Sequence, residues 1–122
     1  MRTTWNDAAR IAPEAGLDAP REACARFLKA AAAETLPDAG TTELAVLIRK
    51  QVPGLVRDTR AVMDLSPAAE TADAIRFMLD ELRALGDEAE DALAAMRLRA
   101  QEKLSVRRGR LSQRRIERGI FS

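Results

Sequence analysis

The residues best placed for chemistry are three acidic pairs, Asp80-Glu81, Asp87-Glu88 and Glu90-Asp91. Carboxylates act as general acid and base, or hold a divalent cation, when they converge from several elements. In helical bundles such sites combine Glu with a Glu-x-x-His pair, and this chain has no histidine. The calcium-loop spacing is missing too. The acidic pairs therefore read as capping and solubilising groups. Cys24 is the single cysteine and lies in an alanine-rich stretch between Arg21 and Phe27. A small buried apolar role is expected of it rather than redox chemistry. One cysteine and no histidine exclude an internal disulfide, a Cys/His zinc site, a histidine base and a Ser-His-Asp triad. Ser66, Ser105 and Ser112 have no visible base. The phosphate-cradling GxxxxGK[ST] and GxGxxG patterns and the GxSxG elbow are all missing. The expectation is a chain that is not an enzyme, with no catalytic residue, cofactor, metal or small-molecule substrate.

Arginine is the other reactive population. It outnumbers lysine 17 to 3. With 24 alanines, this resembles the coding bias of a GC-rich bacterial or phage genome. The formal net charge of +1 conceals a strong asymmetry. Residues 1–96 hold 11 basic and 17 acidic side chains, whereas residues 97–122 hold 9 basic and 2 acidic ones. Residues 64–91 alone carry nine acids against Arg76 and Arg83. Arg107, Arg108, Arg110, Arg114, Arg115 and Arg118 stand against Glu117 only, interleaved with Leu111, Ile116, Ile120 and Phe121. Three readings meet this segment: a solvated end, a phosphate-gripping contact with nucleic acid or an anionic surface, and a docking element for protein. The protein partner includes the acidic residues 64–91 of a second copy, head-to-tail or antiparallel. Its apolar content favours a segment that packs on something. No aromatic lies between Arg107 and Arg118 to stack on bases.

The elements that must position these groups are helices. The chain has 122 residues, the size of one domain. Alanine favours helix and is depleted from strands, and no segment alternates with period two. Residues 1–17 read as an arm anchored by Trp5, with a short turn from Thr4 to Ile11 ended by Pro13 and Gly16. Trp5 belongs either in its own core or on a partner. The first clear helix runs from about Ala19 to Leu36, with Asp18 as its cap, Pro20 in its first turn, and Cys24, Phe27, Leu28, Ala31 and Ala32 on one face.

A second helical segment, about Thr42 to Asp64, carries the stripe Leu44, Ile48, Val52, Leu55, Thr59 and Val62. Pro53-Gly54 interrupts it. The stripe keeps phase there, so a kink is expected. Ser66-Pro67 opens a third helix, with Ala72, Ile75, Leu79 and Leu82 inward, flanked by Phe77, Met78 and Leu85. Gly86 reads as its C-terminal stop. Asp87 and Glu90 read as the capping box of a fourth helix, whose stripe is Ala89, Leu93, Met96, Ala100 and Leu104. That helix runs to about Arg108, or past a bend at Gly109 to Arg118. A corner as short as Gly86-Asp87 implies an antiparallel hairpin.

The stretch Leu47-Ile48-Arg49-Lys50-Gln51-Val52-Pro53-Gly54-Leu55-Val56 resembles a helix of poorly characterised bacterial all-helical proteins. This group is named for 5-bromo-4-chloroindolyl phosphate hydrolysis and is linked to toxic-anion resistance. There an apolar residue precedes proline, with an aliphatic residue and an aromatic three and six positions on. Here Val52 precedes Pro53, Val56 follows in the first of those places, and Thr59 stands in the second. The resemblance would cover about Thr42 to Leu104 and implies no catalytic residues.

The expected fold is thus all-α: a three- to four-helix antiparallel bundle with a second helix kinked at Pro53 and a basic C-terminal helical extension. The expected parts are an arm (1–17), a bundle (18–108) and a basic amphipathic segment (109–122). No apolar run approaches the roughly 20 residues that span a bilayer, and no leader is visible, so a cytoplasmic protein is expected. Its expected work is non-catalytic protein–protein interaction, as an adaptor, inhibitor or assembly factor that can self-associate. Nucleic-acid binding through Arg107–Arg118 is the alternative.

Overall fold

The computed structural model describes residues 2–121, with the side chains of residues 2, 120 and 121 left out. All regular structure among them is helical: α1 (Arg2–Ile11), α2 (Asp18–Ala33), α3 (Ala39–Leu65) and α4 (Ala68–Phe121). The chain divides into two units on either side of Ala92 and Leu93. No helix among the described residues is long and apolar enough to cross a membrane.

In the first unit, α1 and α2 both pack on α3. Residues 2–11 form a regular helix with Trp5 only 3 % exposed and Ala8 fully buried, so the tryptophan belongs to its own core. The chain then turns through Gly16 at φ 67°, the only positive φ among the described residues. From α2 the core takes Ala23, Cys24, Phe27 and Ala31. The expected cap, Asp18, is instead the first helical residue and pairs with Arg21 at 3.4 Å.

The α3 helix starts three residues earlier than its apolar stripe suggested, because Asp38 caps it. The Asp38 carboxylate accepts the Thr41 N–H at 2.7 Å, satisfying a donor that has no partner inside the helix. The helix continues through Pro53 to Leu65. Its buried face is Thr41, Ala45, Ile48, Val52, Val56 and Thr59. Leu44, Leu55 and Val62 lie half-buried at the edge. The buried Thr59 hydroxyl is satisfied, donating to the Leu55 carbonyl at 2.8 Å.

The largest correction concerns residues 86–87. The Gly86-Asp87 corner, and with it the hairpin of two helices, does not exist: α4 runs unbroken through both residues. Gly86 is buried inside the helix for a packing reason. A Cβ there would stand 2.6 Å from the Pro20 Cβ and 2.7 Å from its Cα, so the missing side chain lets the start of α2 approach α4. Asp87 and Glu90 are exposed mid-helix side chains, not a capping box. The buried face here is Met78, Leu82, Leu85 and Ala89, one position round from the expected stripe. Ala72 and Phe77 are consequently exposed, and so are Ala100 and Leu104, which were also expected to be buried. Gly109 ends nothing either; the helix passes through it.

Candidate functional site

Within the first unit, the groups considered for chemistry are one buried thiol and a set of exposed carboxylates. Cys24 is fully buried, and loss of solvent pushes its thiol up to about 11 from 9.0. The nucleophilic thiolate is thus suppressed near neutral pH. Asp80, Glu81, Asp87, Glu88, Glu90 and Asp91 are all exposed. Among the described residues no group of three or more Cys, Asp or Glu side chains could hold a metal ion. No buried side-chain nitrogen or oxygen among them lacks a hydrogen-bond partner. The long-range polar contacts are structural: Arg83 donates to the Ala15 carbonyl at 2.9 Å, and Arg60 meets Asp7 at 3.9 Å.

The second unit is the C-terminal part of α4. Continuous helix fixes how its side chains are distributed around the axis. Arg107, Arg108, Arg110, Leu111, Arg114, Arg115, Ile116 and Arg118 are all exposed. The side chains of Ile120 and Phe121, also expected at a docking site, lie outside the described residues. At about 100° per residue, Leu104 and Leu111 fall in one column, with Arg97, Arg107, Arg108, Arg114, Arg115 and Arg118 within about 60° of it. Leu104 is 50 % and Leu111 51 % exposed, so each retains apolar surface to bury. Arg110 stands to one side, about 100° from Leu111, and Ile116 lies about 140° round the axis. Leu111 and Ile116 are therefore not brought onto one face.

Arg107, Arg110, Leu111 and Arg114 line an open groove. Arg115 leans back on the helix, its Nε donating to the Leu111 carbonyl at 3.5 Å. None of the six column arginines takes part in an ion pair among the described residues. The arrangement is a short apolar seam flanked by exposed guanidinium groups. Arg97 and Leu104 belong to it and were missed as site residues. Both lie seven residues before another member, and that spacing was the available signal.

No protein family, curated protein or solved structure matches the chain. The resemblance around Pro53 rests on those residues alone.

Proposed function

We propose that the chain is a non-catalytic helical interaction module. Its surface at residues 97–118 docks onto an acidic helix of a protein partner. The observation that carries this reading is the placement of half-exposed Leu104 and Leu111 in the middle of the arginine column. Phosphate recognition requires the guanidinium groups but not the leucines. A helix partner uses both: apolar residues form the seam, and flanking charges set orientation and partner choice. Burying a leucine fully is worth about 1.5–3 kcal/mol, enough for two of them to matter. In the same reading the helices of residues 2–92 are an antiparallel bundle, α3 bends at Pro53, and the module works in the cytoplasm.

The second reading, phosphate binding through Arg107–Arg118, is favoured by the bidentate fit of arginine to phosphate. One experiment separates the two. The full chain is titrated against a helical peptide bearing a leucine seam flanked by glutamates, and separately against duplex DNA, over a salt series. Replacing Leu104 and Leu111 by serine is expected to weaken peptide binding as much as replacing Arg107 and Arg114 by alanine. DNA binding that ignores the leucine changes and falls steeply with log salt, with no peptide binding, would establish the phosphate reading instead.

A further inference from the structure

The docking surface calls for an acidic partner helix, and the protein carries one. In residues 68–92, Glu70, Asp80, Glu81, Asp87, Glu88 and Asp91 are all exposed. Phe77, 59 % exposed, and the exposed Ala84 form a column among them. All six carboxylates lie within about 60° of that column at about 100° per residue.

This acidic pattern and the basic pattern are the same pattern with its charge inverted. Each of the six carboxylates is followed 27 positions later by an arginine: Arg97, Arg107, Arg108, Arg114, Arg115 and Arg118 in order. Phe77 and Ala84 are followed at the same distance by Leu104 and Leu111. We propose that the leucine–arginine surface of one copy docks on the Phe77–Ala84 acidic surface of a second copy, the two helices parallel and staggered by 27 residues. This rests on the reading of residues 97–118 as a docking surface, and it names the partner.

The stagger amounts to about 40 Å of helix rise. It sets Leu104 against Phe77 and Leu111 against Ala84. Because flanking residues of parallel helices pair across the seam, Asp80 and Glu81 meet Arg108 and Arg107, and Asp87 and Glu88 meet Arg115 and Arg114. The pairs that would repel lie off the seam. Arg76, Arg83, Lys103 and Arg110 stand about 100° from the columns, and Glu90 and Glu117 about 120°, with the same-register partners on opposite sides of the seam. Asp73 has no arginine opposite and already pairs with Arg76 at 3.4 Å. None of the twelve seam charges is spent in an ion pair among the described residues. The two surfaces differ, so the contact is heterologous. Each docked copy leaves a surface open for the next.

Sedimentation velocity of the full chain over a concentration series at low salt tests this. The weight-average mass is expected to rise past the dimer with concentration and to fall toward the monomer at high salt. Two variants, each checked for unchanged helicity, are expected to be monomeric alone. One carries Arg107→Glu, Arg108→Glu, Arg114→Glu and Arg115→Glu. The other carries Asp80→Asn, Glu81→Gln, Asp87→Asn and Glu88→Gln. Mixed in equal amounts they should give a dimer and nothing larger, since one intact surface of each kind remains. In a Cys24→Ala background, Ala84→Cys on one copy should cross-link to Leu111→Cys on another and not to Leu104→Cys. A chain that stays monomeric at every concentration, yet binds the acidic leucine-seam peptide, overturns self-docking and leaves the docking surface standing. Loss of both overturns both. Association that survives neutralising the acids, or a cross-link from position 84 to 104 instead of 111, also overturns the proposal.

Discussion

Gly86 and Cys24 show how single side chains set the limits of this fold. The Pro20 ring and backbone occupy the space that a side chain at Gly86 would need, with 2.6 Å to the nearest atom. Gly86→Ala must push the start of α2 away from α4, and overpacking of this kind costs about 1–3 kcal/mol. A lower melting temperature by circular dichroism is the expected outcome; an unchanged one would mean that α2 gives way freely. At Cys24, burial holds the thiol protonated up to about 11. The folded protein should therefore resist thiol reagents at neutral pH and react on unfolding. The sign for stability follows. A group whose pKa is raised on folding contributes fully below its ordinary value, here 9.0, and loses that contribution as pH climbs toward about 11. The stability difference between wild type and Cys24→Ala, measured by denaturant titration, should shrink over that range.

At the scale of elements, α4 decides the account. Period, capping and composition made the helical class legible, and Phe27, Ile48, Val52 and Leu82 were placed in the core correctly. Residues 86–90 misled, because a glycine followed by acids matches a helix stop and a new start. The same letters serve a close helix crossing at Gly86 and an exposed acidic surface beyond it, and only the position of Pro20 distinguishes the two. Asp38 was passed over for a related reason: a cap is defined by backbone geometry, and the apolar stripe begins later. Of the candidate site, the arginines were legible from charge alone. The leucine column left only its seven-residue spacing as a signal, and that spacing counts only if the helix runs unbroken through Gly109. That continuity makes a prediction. Nothing lies within 4 Å of where a Cβ would stand at Gly109, and glycine in a helix interior costs about 0.5–1 kcal/mol relative to alanine. Gly109→Ala should raise the helical signal and protect the amides of residues 105–113 from hydrogen exchange. A neutral or negative effect would mean that this turn is not helical in solution.

Over the whole molecule, a net charge of +1 is the near-cancellation of an acidic stretch and a basic one. Segregated charge of this kind steers association and makes it sensitive to salt. The apolar columns then supply what salt does not screen. Partner binding should therefore weaken with ionic strength without vanishing, in contrast to binding made by phosphate contacts alone.

The most direct test of this account is the affinity of the full chain for the acidic leucine-seam peptide, compared between wild type and a Leu104→Ser, Leu111→Ser variant of unchanged helicity. A loss of about tenfold or more, equivalent to about 1.4 kcal/mol, is predicted. Equal affinity of the two proteins would contradict the claim that residues 97–118 form a docking surface.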